Sequence, residues 1–127
     1  KIAKDKNVIK QIKIDLQMKI DILINKGFNL KKLIIDPGIG FNKNTTQNIQ
    51  IIGNLDKLKF GFPILIGTSR KKHIGDILGT DVHDRIEGTA ATSAIAIANG
   101  ADIIRVHDVK EMARVAKMSD AIIRQLH

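Results

Sequence analysis

Cysteine is absent from these 127 residues, which excludes disulfides, thiolate nucleophiles and cysteine-based zinc sites. Tryptophan and tyrosine are absent too. Four Phe are the whole aromatic complement, so the chain lacks the stacking platform on which single-stranded nucleic acids are held. No apolar run reaches the roughly 18–20 residues of a bilayer crossing. The best candidate, Ala94-Ile95-Ala96-Ile97-Ala98, stops at Asn99. No apolar stretch follows the Lys-rich start as a secretory signal would require, so the expected address is the cytosol. Lys1 stands where a complete chain would carry Met, and the amphipathic pattern is already under way. The expectation is a piece of a longer protein.

What is present is typical of one globular domain, with 43% hydrophobic and 27% charged residues. The formal charge of +8 raises the question of a nucleic-acid partner. Its distribution answers it. Residues 1–32 hold nine Lys against three Asp, so most of the excess decorates one helix face exposed to solvent. A basic nucleic-acid-binding module remains the alternative from a different functional class.

Hydrophobic periodicity predicts a helix over Asp5–Lys26, from Ile9, Ile12, Leu16, Ile20, Leu23 and Ile24. Gly27 then offers a left-handed C-cap with Phe28 placed to pack back. Leu33-Ile34-Ile35 is short, apolar throughout and closed by Asp36-Pro37-Gly38, as suits a strand buried on both faces. The alternation repeats: a helix over Thr46–Lys59, a strand over Pro63–Ile66, a helical turn or loop over Ile74–Gly79, a helix over Asp84–Asn99 and a strand over Asp102–Val106. The last helix begins with Asp108 and Glu111, spaced like a capping box, and continues through Met112, Val115, Ala116, Ile122, Ile123 and Leu126.

Strand starts about 30 and about 39 residues apart suit right-handed βαβ crossovers. The fold expected over residues 1–127 is therefore α/β: a helix followed by three β–α units, the C-terminal part of a (β/α)8 barrel. An open doubly wound sheet is the alternative on periodicity alone.

Ligands in parallel α/β folds bind beyond the carboxyl ends of the strands. The first strand runs into Asp36-Pro37-Gly38-Ile39-Gly40-Phe41, the second into Gly67-Thr68-Ser69-Arg70-Lys71-Lys72, and the third into Arg105-Val106-His107-Asp108. Ionisable groups thus converge on one rim. Asp36 either accepts N–H groups of its own turn or presents a carboxylate to an N–H-rich ligand edge. Gly38 and Gly40 permit a tight turn or close ligand approach, but Lys43 stands where a dinucleotide-binding loop needs its third glycine. Arg105 and His107 share one side of their strand and, with Ser69-Arg70-Lys71, suit a phosphate or carboxylate. The competing readings are an ion pair of Arg105 with a core carboxylate such as Asp36, and a His107 hydrogen-bonded near the core. His73, His83 and His127 lack metal-ligand spacing and read as surface positions; Met112 and Met118 read as helix-spaced core.

Four motifs, in order, carry a resemblance: Asp36-Pro37-Gly38-Ile39-Gly40-Phe41, Gly67-Thr68-Ser69-Arg70-Lys71, Asp84-Arg85-Ile86-Glu87-Gly88-Thr89 and Arg105-Val106-His107-Asp108-Val109. Together they resemble the C-terminal half of the dihydropteroate synthase family. The resemblance implies a step of folate synthesis, in which 7,8-dihydropterin hydroxymethyl diphosphate and p-aminobenzoate give dihydropteroate and pyrophosphate. It implies that Asp36, Lys71 and the backbone at Gly67 meet the pterin, and that Phe41, Ser69 and Arg70 help form the aminobenzoate site. Arg105 and His107, flanking Val106, would hold the pterin and the departing diphosphate, making Lys71, Arg105 and His107 the catalytic set. It further implies Mg2+ with its ligand in an absent N-terminal half, a homodimer, small-molecule partners without nucleic acid or membrane, and a 127-residue piece inactive alone. Asn42 departs from the Gly or Ala common in the family, a mild change because Asn tolerates positive φ. A related pterin-binding methyltransferase barrel is the alternative within this chemistry.

Overall fold

Asn7 opens the first helix by accepting the backbone N–H of Lys10 at 3.2 Å. In the computed structural model, which describes residues 7–126, α1 runs Val8–Asn25 and buries Val8, Ile12 and Ile20. The expected start at Asp5 lies outside the described residues. Gly27 ends the helix as expected, at φ +73°, with its N–H on the Ile24 carbonyl and the Phe28 N–H on the Leu23 carbonyl, each at 3.0 Å. Phe28 itself stays exposed.

The expected strand Leu33–Ile35 contracts to a single parallel bridge. Ile35 donates to Pro63 O and accepts from Leu65 N–H, both at 2.8 Å. A 3₁₀ turn over Leu30–Lys32 occupies its approach, and Ile34 is exposed instead of buried. No described segment flanks Ile35 on its other side, so nothing completes a ladder there. Beyond the bridge, β1 (Leu65–Ile66) pairs in parallel with β2 (Ile103–Ile104), Leu65 opposite Ile103. The order across the sheet is Ile35, β1, β2, all pointing one way.

The expected helix Thr46–Lys59 is two pieces, α2 (Thr45–Gly53) and a 3₁₀ turn (Leu55–Leu58). Gly53-Asn54 is a weak helical pair, and Asn54 leaves helical geometry at φ −125°, ψ 24°. The start is sharper than expected: Asn44 and Gln47 form a reciprocal capping box. The stretch Ile74–Gly79, read as a helical turn or a loop, belongs to a two-turn helix that starts earlier, α3 (Lys72–Leu78), stopped by Gly79 at φ +69°. α4 (Ile86–Ala98) leads through Gly100 into β2, and α5 (Val109–Ile123) closes the described chain.

One core joins these elements: Val8 and Ile12 of α1, Ile51 and Ile52 of α2, Leu55, Leu58, Ile39, the strand residues Ile64 and Ile66, and Ala96 and Ala101. The α5 stripe is only partly buried. Met112 is in the core, whereas Met118, Ile122, Ile123 and Leu126 are exposed, which corrects the expectation for them. Ile14, Met18 and Ile22 form a second exposed row on α1. No described helix is long and apolar enough to cross a membrane.

Candidate functional site

The turn after Ile35 fits the Asx-turn reading of Asp36 and leaves part of its carboxylate open. Its Oδ1 accepts the Gly38 N–H at 2.8 Å, an Asx turn, while the exposed carboxylate makes no other hydrogen bond among the described residues. One oxygen holds the loop and one is open to a ligand. Gly40 sits at φ +83°, with its N–H donated to Asn48 Oδ1 of α2 at 2.9 Å. Asn42 takes φ +53°, the left-handed conformation its side chain tolerates. Lys43 ties the loop together, donating to the Gly38 carbonyl at 2.8 Å and the Phe41 carbonyl at 3.0 Å, and partial burial lowers its pKa. A cavity of about 300 Å³ lies between this loop and α1, bordered by Asp36, Phe41, Lys43, Asp15 and Lys19.

Lys71, beyond β1, reaches back over the same loop. Its ammonium donates to the Ile39 carbonyl at 2.6 Å and stands 5.3 Å from the centre of the exposed Phe41 ring. Gly40 leaves room for that path, while Gly67 lies at ordinary contact distance from it. A Cβ on Gly40 would lie 3.1 Å from Lys71 Cδ, and one on Gly67 would lie 3.7 Å from Lys71 Nζ and 3.9 Å from Arg105 Cβ. Burial lowers the Lys71 pKa, Asp36 opposes that shift, and Arg105 adds to it. Asp36, Lys71 and Arg105, one from each strand end, therefore share one electrostatic neighbourhood. Arg105 is exposed and forms no ion pair among the described residues, so it is not spent on Asp36.

The two remaining strand-end residues pair across β1 and β2. Ser69 Oγ lies 2.8 Å from His107 Nδ1 and accepts the His107 backbone N–H at 3.1 Å, with the half-buried Val106 beside them. Arg70 turns its guanidinium to Asp108, Nη2 to Oδ1 at 2.8 Å. Asp108 consequently does not cap α5; no side-chain bond to the helix is made, which corrects the capping-box expectation. Its carboxyl is held below the usual range by the Arg70 hydrogen bond.

Residues given no individual role on spacing brace this loop. Arg70 sits at φ +56°, its N–H on Thr89 Oγ1 at 3.1 Å and its carbonyl on Arg85 Nη1 at 2.8 Å. Arg85 also grips the Thr80 carbonyl, and Thr92 links Thr68 to the Gly88 carbonyl, both at 2.8 Å in that second case. The Asp84–Thr89 motif was the available signal; its role is support rather than contact with the rim. His73 is a further correction: it is buried, not on the surface, and neither ring nitrogen has a partner among the described residues. Burial, then Lys71, lower its pKa. His83 is exposed as expected, and His127 lies outside the described residues. Among the described residues no three His, Asp or Glu side chains cluster to hold a metal ion.

Comparison with known proteins gives consistent neighbours. The sequence pattern of the pterin binding enzyme family matches residues 1–107. A dihydropteroate synthase of Clostridium beijerinckii is 48% identical over 122 residues, covering 94% of this chain and 45% of that protein. The chain thus spans less than half the length of that relative. The crystal structure of a Clostridium difficile dihydropteroate synthase with pteroic acid superposes with a TM-score of 0.91 at 43% identity, over 96% of this chain and 47% of that one. A Yersinia pestis dihydropteroate synthase with a pterine-sulfa conjugate gives a TM-score of 0.93 at 35% identity, over 99% and 50%.

Proposed function

The chain belongs to the pterin binding enzyme family, and from that premise we propose that it supplies the pterin- and diphosphate-facing half of a dihydropteroate synthase. The reaction joins 7,8-dihydropterin hydroxymethyl diphosphate to p-aminobenzoate and releases pyrophosphate. The helix and three strand–helix units are then the C-terminal portion of a (β/α)8 barrel. The apolar rows Ile14-Met18-Ile22 and Met118-Ile122-Leu126 are the seams where its remaining elements pack.

The observation that carries this reading is the meeting of Asp36, Lys71 and Arg105 at three adjacent strand ends, with one carboxylate oxygen unused. That oxygen suits the amino and ring N–H edge of a pterin. Lys71, reaching over the loop where Gly40 leaves it room, supplies a second polar contact to the ring. Arg105 and His107, both exposed just beyond β2, stabilise negative charge as pyrophosphate leaves, a charge that grows in the transition state. Phe41, beside Lys71, is placed to wall the aryl amine that attacks the pterin methylene. Ser69 and Arg70 shape that wall through His107 and Asp108. Any Mg2+ bound by the complete enzyme takes its ligands from residues beyond this chain. The complete enzyme is a cytosolic homodimer acting on small molecules.

The test is pterin binding and pyrophosphate release by the complete chain. Asp36→Ala weakens pterin binding by about 1.5–3 kcal/mol, the loss of charge-assisted hydrogen bonds. Unchanged pterin affinity in calorimetry would remove Asp36 from the site.

A further inference from the structure

Neutral His107 can carry its proton on either ring nitrogen, and only a proton on the nitrogen turned away from Ser69 lets the neutral ring donate to a departing anion. The neighbouring hydroxyl decides which. Ser69 Oγ has two contacts among the described residues, the backbone N–H of His107 at 3.1 Å and the ring Nδ1 of the same residue at 2.8 Å. A backbone N–H can only donate, so it fills one lone pair of Oγ. If Nδ1 also carried a proton, it would fill the other. The serine proton would then need a third partner, and Ser69, 3% exposed, has neither a described acceptor nor solvent to supply one. The alternative leaves nothing unmatched: Oγ–H donates to an unprotonated Nδ1. Neutral His107 then carries its proton on Nε2.

We propose that Ser69 is a positioning residue that fixes His107 in its Nε2–H tautomer, turning the exposed edge of a neutral imidazole into a hydrogen-bond donor for the departing diphosphate. The assignment of the diphosphate to that edge rests on the dihydropteroate synthase reading; the tautomer does not. Geometry supports the lock beyond the single contact. Ser69 and His107 are 38 residues apart, the same offset that pairs Leu65 with Ile103, so the pair continues the register of β1 and β2. Arg70 and Asp108, next along at the same offset, close the pair from the far side. Ser69 thus grips both the backbone and the ring of His107, leaving the imidazole little freedom about its side-chain torsions.

The experiment is 15N NMR of the complete chain labelled at histidine, with steady-state kinetics of pyrophosphate release on the same samples. In the unsubstituted protein at a pH where His107 is neutral, Nε2 should resonate as a protonated nitrogen and Nδ1 as an unprotonated one. Ser69→Ala should mix the two forms. It should also lower kcat by about tenfold, with the KM for the pterin substrate nearly unchanged, since the loss falls on the departing group. Ser69→Thr, which retains the hydroxyl, should restore both readouts. An unsubstituted protein with the proton on Nδ1 would overturn the proposal, whatever the variants do and whether or not they fold. A pure Nε2–H signal surviving in folded Ser69→Ala would overturn it too. If the tautomer behaves as stated while no pyrophosphate is released by the unsubstituted protein, the reaction assignment fails and the lock stands.

Discussion

Arg70 and Asp108 are joined by a forked ion pair, Nη2 2.8 Å from Oδ1 and Nε 3.3 Å from Oδ2. Their 38-residue separation repeats the Leu65–Ile103 register, so side chains extend the pairing of two strands whose backbone ladder covers only two residues each. The short ladder makes the pair consequential. It ties the loop that carries Lys71 to the start of α5.

Asp108→Asn should therefore lower the melting temperature at neutral pH, and the deficit should shrink in acid. The hydrogen bond from Arg70 depresses the folded pKa of Asp108 below its ordinary 3.8. A depressed carboxyl contributes stability that is fully present above its unfolded pKa and lost as pH falls through the folded value. Melting curves of the two proteins should accordingly converge below about pH 3.8. A constant difference across that range would assign the effect to packing instead.

His73 makes the opposite prediction. Its two ring nitrogens are buried without partners among the described residues, so the residue contributes an unmet polar cost where an apolar side chain would contribute none. His73→Leu should stabilise the protein by about 1 kcal/mol at neutral pH. Burial lowers the folded pKa from 6.5, so the unfolded chain takes up the proton first as pH falls. The unsubstituted protein should lose stability progressively below pH 6.5, and the variant should lose less. Denaturant midpoints measured on both sides of that value check the sign.

Gly88 allows α3 and α4 to approach. A Cβ there would stand 2.2 Å from Ile74 Cγ2 and 3.1 Å from Leu78 Cδ1. Alanine is the better helix former by about 1 kcal/mol, but an overlap with a buried methyl costs about 1–3 kcal/mol. The steric term wins because Ile74 is itself 3% exposed and has nowhere to move. Gly88→Ala should be destabilising, and adding Ile74→Leu, which removes Cγ2, should recover part of the loss. Thermal melts of the single and double variants decide it.

The parts legible in the sequence were those written in local chemistry. Gly27 and Gly100 each close a helix with the pair of hydrogen bonds that a left-handed cap provides, and Asp36, Lys71 and Arg105, one after each of Ile35, β1 and β2, share one electrostatic neighbourhood. Asn44-x-x-Gln47 was readable as a capping box, yet apolar spacing alone places the helix start at Thr46. Other features had no local signal. Asp108 sits where a helix cap belongs, and only the fold reveals Arg70 as its partner. His73 lies on α3, a helix packed against α2 and α4, and a polar residue there reads as surface until tertiary packing covers it. Met118, Ile122 and Leu126 keep helix spacing without burial, because a periodic stripe announces a partner without saying whether this chain provides it.

Gly40 and Lys71 permit a test that separates position from charge. Gly40→Ala introduces a side chain at φ +83°, which costs about 1–2 kcal/mol for the left-handed backbone alone. Its Cβ would also come within 3.1 Å of Lys71 Cδ. That neighbour is a flexible chain, so it yields, and the ammonium moves from its place beside the Ile39 carbonyl and the Phe41 ring. Lys71→Gln leaves the backbone untouched and removes a cation whose lowered pKa records the cost of burying it. The two variants should therefore agree in activity and differ in stability. Both should reduce pyrophosphate release by the complete chain, Lys71→Gln on the order of a hundredfold, as for loss of a charge-stabilising donor. Only Gly40→Ala should melt earlier. If Gly40→Ala kept full activity while losing stability, the placement of Lys71 over the Asp36 loop would carry no catalytic consequence, and the lysine would act from elsewhere on the rim.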